Sequence, residues 1–231
     1  MEQTQNLKAF ILGGTGAVGR ELIHELLQSD EWIEVTVVAR RILPEWDKFT
    51  PEQKKKLNVK LVTDLECLLD PSNWDLTGYS SVFCCLGTRK RYGEKEFIKV
   101  AKTYPLYGAR LALYYKIPHF SVISSELANP KSLGLIFKTK GEVEEELKKL
   151  QLLHLSIFRP GILVNRRNYK RFKERILGGL FFVPQNETED VAKALRIEAE
   201  LQNKTPLKEM VVIYRYYDIN YIAHNIEYPF H

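Results

Sequence analysis

The segment ILGGTGAVGREL, residues 11–22, constrains the fold of this chain more than any other feature. The apolar stretch LKAFIL leads into it, and the amphipathic RELIHELLQS and the β-branched IEVTVVA follow it. A strand, a glycine turn, a helix and a second strand within about 30 residues form one βαβ unit. In such a turn one glycine permits the sharp bend, a second lets a phosphate approach the backbone, and a third lets the helix pack closely.

The start of the helix that follows the turn is a further part of the predicted site. Its free N–H groups and partial positive charge favour a pyrophosphate group. We therefore predict that a nucleotide contacts this turn through Gly13, Thr15, Gly16, Ala17, Val18 and Gly19. The alternative is a glycine turn that is kept for packing alone.

The alternation of strands and helices continues along the 231 residues. Further β-rich stretches are LNVKLVT, SSVFCCLG, PHFSVIS and LHLSIF, and helix-patterned segments separate most of them. Such alternation predicts a parallel sheet that is covered on both faces. We predict an α/β fold over residues 1–231, a single Rossmann-like domain with a doubly wound parallel sheet. Residues from about 160 to 231 would form its smaller, substrate-side part.

Basic residues stand where the second predicted strand ends. An NAD-preferring site has an acidic residue near this point for the ribose 2′-hydroxyl, but this chain has Arg40 and Arg41. Arginine pairs well with a phosphate group, so we predict NADP(H) as the cofactor, with NAD(H) less favoured. The alternative is that both arginines are simply solvated.

Other predicted cofactor contacts follow the third and fourth strands. Asp64 is a candidate neighbour of the adenine, although an exposed loop carboxylate fits the sequence nearly as well. A glycine after the fourth strand lets the backbone pass close to a ribose, which indicates Leu86, Gly87 and Thr88. The basic residues Arg89, Lys90 and Arg91 would extend a positive rim that suits an anionic cofactor or an acidic partner.

Composition excludes several classes of protein. The apolar runs are too short for a membrane span, and no basic region followed by an apolar block opens the chain. We expect a cytoplasmic or mitochondrial location without an evident cleavable presequence. The three cysteines have no metal-ligand spacing, and the five histidines are scattered, so we predict no metal site. The basic segment 166–175 indicates a solvated face or a protein partner, and no nucleic acid is expected.

Taken in order, the motifs ILGGTGAVGREL, VVARR, CCLGT, ISS, KGEVEEEL and FRPGIL resemble a known family. They are similar to atypical short-chain dehydrogenase/reductases of the Tat-interacting protein (oxidoreductase) type, and the similarity is strongest over residues 7–165. The resemblance implies one NADPH-binding Rossmann-like domain. It also implies an active-site serine region at Ser124 and Ser125, a lysine at Lys140 that would bind the nicotinamide ribose, and an Arg-Pro-Gly turn at Arg159, Pro160 and Gly161, of which Pro160 and Gly161 would contact the cofactor. The alternative for Lys140 is an exposed lysine at the start of a helix.

One departure from the family pattern bears directly on function. Short-chain reductases place a tyrosine four residues before the lysine, which is one helical turn away on the same face. In this chain that position is Ile136, and isoleucine has no proton to donate. Loss of a general acid typically slows a reaction by about 10²–10⁴-fold. Ser124 and Ser125 would then bind substrate or only cap a loop.

Two hypotheses follow from this departure. In the first, the chain binds NADP(H) without turnover and serves as a structural, accessory or interaction subunit, within a larger assembly such as a mitochondrial complex. In the second, it is an active NADPH-dependent oxidoreductase that acts on a carbonyl or a quinone. The first is favoured because the cofactor motifs are intact while Ile136 replaces the proton donor.

Overall fold

A computed structural model describes residues 6–88, 90–164, 184–204 and 210–225 of the chain. Seven parallel strands form the main sheet, in the order β3-β2-β1-β4-β5-β6-β9. These strands are β1 (Leu7–Leu12), β2 (Trp32–Ala39), β3 (Leu57–Leu61), β4 (Ser81–Cys84), β5 (His119–Ile123), β6 (His154–Arg159) and β9 (Met210–Arg215). Two short parallel strands form a second sheet, β7 (Ile162–Val164) and β8 (Gln185–Glu187).

Helices connect most of these strands. They are α1 (Ala17–Gln28), α2 (Pro51–Lys56), α3 (Glu94–Ile98), α4 (Tyr104–Tyr114), α5 (Leu135–Lys149), α6 (Thr188–Lys204) and α7 (Tyr216–His224). A π-helical turn, Lys99–Thr103, joins α3 to α4. Among the described helices, none is long and apolar enough to span a membrane.

Two apolar cores lie on opposite faces of the main sheet. One is formed with α1, α6 and α7, and it includes Leu22, Leu195 and Ile219. The other is formed with α4 and α5, and it includes Ala109 and Val143. Burial on both faces explains the nearly continuous apolar sequence of β2, because a parallel strand in the middle of such a fold has no solvent-facing side. The predicted doubly wound, Rossmann-like sheet is confirmed.

The helical segment before β5 is interrupted by the π-helical turn. Pro105 lies just after this turn, in the first turn of α4. Proline has no N–H to donate to the preceding turn, and a π-turn is one way in which a helix accommodates such a break.

The part of the chain beyond residue 160 contributes to both sheets. Strand β9 extends the main sheet beside β6, and α6 packs across α1, while β7 and β8 form the small sheet. A distinct substrate-side part over residues 160–231 stays a prediction. The basic segment 166–175 and Arg89 lie outside the described residues.

Candidate functional site

The glycine-rich turn leaves β1 and passes directly over the end of β4. Gly13 has a φ of +85°, and a Cβ there would lie 2.7 Å from the carbonyl oxygen of Cys85. The carbonyl of Gly13 accepts a hydrogen bond from the N–H of Gly16 at 2.9 Å. Only glycine combines this left-handed backbone with such a close approach, so the predicted sharp turn is present at Gly13.

Two further glycines allow α1 to pack against the turn and the sheet. A Cβ on Gly19 would lie 2.3 Å from the carbonyl oxygen of Gly13, and a Cβ on Gly14 would lie 2.5 Å from a methyl group of Val37. The glycine spacing gave no indication of a role for Gly14, because its constraint comes from the side chain of Val37 on β2. Packing contacts alone thus explain why glycine stands at positions 13, 14 and 19. Gly16 is less tightly confined, because a Cβ there would lie 3.2 Å from its nearest atom.

The amino end of α1 is suited to an anion. The residue before the helix is Gly16, which has no side chain to cap the first N–H groups, and the first turn holds no acidic residue. Ala17, Val18 and Gly19 supply those first N–H groups. No carboxylate within the first turn of α1 therefore compensates the partial positive charge of this helix start.

The turn after β4 lies against the glycine-rich turn. The N–H of Cys85 donates to the carbonyl of Leu12 at 2.8 Å, which continues the strand pairing into the turn. Gly87 is exposed, and a Cβ on it would meet no atom within 4 Å. Protein packing therefore does not require glycine at position 87. Leu86 and Thr88 are half-buried on either side of it.

The basic residues predicted for the 2′-phosphate follow β2 directly. Arg40 and Arg41 are both exposed, and neither forms an ion pair with any residue that the structure describes. A different arginine anchors the glycine-rich turn: Arg20 donates to the carbonyl of Thr15 at 3.1 Å and pairs with Glu45 at 3.2 Å.

Asp64 lies at the start of a 3₁₀ turn, Leu65–Leu69, and its carboxylate is already engaged. It accepts hydrogen bonds from the N–H of Glu66 at 2.5 Å, from Tyr104 at 2.8 Å and from Lys99 at 3.2 Å. Burial opposes ionisation, but these bonds hold the pKa of Asp64 below its ordinary value. Its contact with an adenine stays a prediction, and its observed role is to hold α4 against the rim.

Lys140 lies on α5, one helical turn after Ile136. Its ammonium group donates to the carbonyl of Ile123 at the end of β5, at 2.6 Å. Burial lowers the pKa of Lys140, an effect that the nearby carboxylate of Glu144 opposes. Burial also raises the pKa of the thiols of Cys84 and Cys85, that of Cys84 to about 11, so neither is a thiolate at neutral pH. Ile136 is 44% exposed.

The first of the two predicted serines takes part in a buried polar network. Ser124 donates to the carboxylate of Glu144, which also receives two hydrogen bonds from Arg159, one of them at 3.1 Å. The side chain of Glu144 is only 1% exposed. Glu144 was not among the predicted site residues, although it lies four residues after Lys140 in the KGEVE motif and therefore on the same helical face. Ser125 is half-buried.

The Arg-Pro-Gly turn after β6 connects the main sheet to the small one. The carbonyl of Pro160 accepts from the N–H of Glu126 at 3.0 Å, and the N–H of Gly161 donates to the side chain of Asn186 at 2.9 Å. A Cβ on Gly161 would lie 2.0 Å from the carbonyl oxygen of Pro184. Glycine is therefore required at position 161 by packing between β7 and β8.

The structure thus joins most of the predicted residues at the carboxyl ends of the strands. Direct contacts connect the glycine-rich turn to Cys85, Lys140 to β5, and Ser124 to Arg159 through Glu144. In an open parallel sheet this edge is where ligands bind. Arg40 and Arg41 lie at the same edge but make no described contact with these groups.

The reason for predicting no metal site does not hold in the fold. His119, His154 and Glu198 are far apart in sequence, yet their ligand atoms lie within 4.8 Å of one another. All three are completely buried. No signal in the spacing of the histidines indicated this cluster, because β5, β6 and α6 bring it together.

Comparison with known proteins gives the family of this chain. No protein-family model matches it. It is 37% identical over 169 residues to Protein HTATIP2 of Rattus norvegicus, covering 72% of this chain and 67% of that protein. It is 28% identical over 175 residues to Protein FMP52-2, mitochondrial, of Scheffersomyces stipitis, covering 74% and 73%.

Solved structures support the same fold. The structure of MoeE5 in complex with UDP-glucose and NAD matches with a TM-score of 0.69, at 16% identity, and covers 90% of this chain and 75% of that one. The sheet order, the glycine-rich turn and the identity to HTATIP2 lead to one conclusion. This chain belongs to the family of atypical short-chain dehydrogenase/reductase-like, NAD(P)-binding proteins that includes HTATIP2 and FMP52.

Proposed function

We propose that this chain binds NADP(H) at the glycine-rich turn and holds it without completing a reductase reaction, as an accessory or interaction subunit. The observation that supports the loss of catalysis is Ile136, one helical turn before Lys140 on α5. A bound nicotinamide supplies or accepts a hydride, and a carbonyl that receives a hydride also needs a proton from a nearby acid. The side chain of Ile136 has none to give.

The remaining polar groups of the site are suited to binding. Lys140 uses one N–H on the carbonyl of Ile123, and an ammonium group has two further donors for ribose hydroxyls. The hydroxyl of Ser124 donates to Glu144, so its proton is directed to a buried carboxylate. This arrangement supports a site that orients a cofactor, since among the described residues neither Ile136 nor Ser124 is placed to protonate a product.

The preference for NADP(H) is supported by charge. Arg40 and Arg41 follow β2, are exposed, and have no ion-pair partner within the described ranges. An arginine in that position can form charge-assisted hydrogen bonds with a 2′-phosphate, each worth about 1.5–3 kcal/mol. The open space around Gly87 supports close approach of a cofactor ribose to the backbone.

A second candidate function, catalysis as an oxidoreductase, is favoured by the polar residues that remain at the site. Lys140 and Ser124 both lie at the carboxyl edge of the sheet, and the Glu144–Arg159 pair fixes the serine. An active NADPH-dependent oxidoreductase on a carbonyl or quinone would use these residues with water as the proton source. The names of the FMP52 relatives include the word mitochondrial, which supports a mitochondrial location.

Calorimetric titration with NADPH and with NADH tests the binding proposal. We expect NADPH to bind more tightly, and a double variant, Arg40→Ala with Arg41→Ala, to weaken NADPH binding by about 10- to 100-fold, because solvent exposure of both arginines reduces the value of each bond. NADH binding should change little in the same variant. The matched control is Arg110→Ala, an exposed arginine on α4, which alters net charge without altering the site.

Turnover assays separate the two functions. We expect no oxidation of NADPH by the natural chain above background with a panel of carbonyls and quinones. Robust turnover with unchanged Ile136 would overturn the non-catalytic proposal and favour the oxidoreductase. Ile136→Tyr tests whether the tyrosine alone is missing, with Ile136→Phe as the control that adds the ring without the hydroxyl.

A further inference from the structure

A patch of polar side chains is buried between the main sheet and α6. Ser81, His119 and His154 lie in register on β4, β5 and β6. Ser121 and Ser156 lie in register two residues further along β5 and β6. All five are completely buried. They lie towards the amino ends of these strands, opposite the cofactor edge, so the proposed cofactor site does not use them.

A carboxylate from α6 covers this patch. Glu198 Oε1 accepts hydrogen bonds from Ser156 at 2.6 Å and from Tyr214 at 3.3 Å, and it lies 3.2 Å from Nε2 of His154. Glu198 Oε2 lies 3.0 Å from Nε2 of His119.

One atom of this carboxylate lacks a donor. Oε2 of Glu198 is buried and has no hydrogen-bond partner within the described residues, although Nε2 of His119 is only 3.0 Å away. The other ring nitrogen of His119, Nδ1, lies 3.0 Å from the hydroxyl of Ser81. A proton on Nδ1 would be donated to Ser81, which leaves the lone pair of Nε2 facing Oε2 and the hydroxyls of Ser121 and Ser156, each 3.2 Å away. A cation between Nε2 and Oε2 satisfies both of these atoms.

We propose that His119, His154 and Glu198 bind a divalent transition metal, with Zn²⁺ as the ion that best fits two imidazoles and a carboxylate. Zinc binds nitrogen and oxygen at about 2.0–2.2 Å, which places two tetrahedral ligands roughly 3.3 Å apart. The two nitrogen–oxygen pairs are 3.0 and 3.2 Å apart. The hydroxyl of Ser156, 3.2 Å from Nε2 of His119, stands beside them as a fourth donor.

The surrounding residues support the two histidines unequally. His119 has Ser81 as an acceptor for its second ring nitrogen, and such outer partners typically change metal affinity by about 10- to 100-fold. Nδ1 of His154 is buried without a hydrogen-bond partner within the described part of the chain. We therefore expect weaker binding than at a fully supported zinc site. The burial of every ligand implies that the metal enters as the chain folds and stabilises the contact of α6 with the sheet.

The test measures zinc in the protein itself. The chain is produced with zinc in the medium. The folded protein is then treated with a chelator, which removes zinc bound at the surface, and its remaining zinc content is measured by mass spectrometry. We expect near-stoichiometric zinc in the natural chain and its loss in Glu198→Gln, which keeps the shape but not the charge. The control is His224→Gln, which removes an exposed histidine 3.2 Å from Asp190 and should leave the zinc content unchanged.

A second measurement does not depend on the folding of the Glu198 variant. The natural chain is unfolded with a chelator and refolded with Co²⁺, and its visible spectrum is recorded. Intense d–d bands of a tetrahedral site, together with a higher melting temperature than without metal, are expected. Refolding with Co²⁺ but without these bands, zinc far below stoichiometric, or zinc retained in Glu198→Gln would each overturn the proposal.

Discussion

Removal of Arg159 tests the buried ion pair that fixes the serine of the candidate site. The side chain of Glu144 is 1% exposed and that of Arg159 is 21% exposed. Loss of one partner of a buried pair typically costs about 3–5 kcal/mol, because the other charge stays buried without compensation. Since Ser124 still donates to Glu144 and Arg159 is partly exposed, we expect Arg159→Met to lower the free energy of unfolding by about 2–4 kcal/mol.

Urea denaturation is the suitable assay, because guanidinium salts screen ion pairs. The midpoint should fall while the slope stays constant, which identifies a change in stability. Arg215→Met is the matched control: it removes the partner of Glu126, but that arginine is 63% exposed, so its loss should cost at most about 1 kcal/mol. Equal costs in the two variants would refute the assignment of a buried, structurally important pair at Glu144.

Three further predictions concern other parts of the chain. Gly19→Ala places a Cβ 2.3 Å from a backbone oxygen and should cost about 1–3 kcal/mol in unfolding free energy, measured by urea denaturation. Gly87→Ala meets no protein atom within 4 Å, so it should leave the unfolding midpoint unchanged while calorimetry shows weaker NADPH binding; an unchanged affinity would argue against a cofactor at this turn. Glu34 has a lowered pKa because its bonds with Tyr79 and Lys8 outweigh the effect of burial. Because this pKa is lowered on folding, the contribution of Glu34 to stability is complete above the ordinary value of 4.5 and is lost as the pH falls below that value. Glu34→Gln should therefore flatten the fall of the melting temperature with decreasing pH, and an unaltered dependence would contradict this prediction.

Features with a local cause could be predicted from the sequence. The turn at Gly13 needs a left-handed backbone and a close approach, and both follow from the position of a glycine between a strand and a helix. The doubly wound sheet follows from the alternation of apolar strands and amphipathic helices. The relation of Ile136 to Lys140 is one helical turn on α5, and the helix period alone is enough to predict it.

Features that depend on distant contacts could not be predicted. Glu144 looks like one acid among several in GEVEEE, and only the positions of Ser124 and Arg159 on neighbouring strands distinguish it. His119 and His154 each open a strand, but strand register and the placement of α6 are needed to bring them to Glu198. The sequence also gave no sign that Asp64 is tied to α4 through Tyr104.

The most direct test of the proposed function is one pair of measurements on the unmodified chain. NADPH is titrated into the protein by calorimetry, and the same preparation is then assayed for NADPH oxidation with carbonyls and quinones. A binding protein with Ile136 in the proton donor's place should show tight, saturable NADPH binding and no turnover. Failure to bind either dinucleotide, or binding followed by robust turnover, would contradict the account.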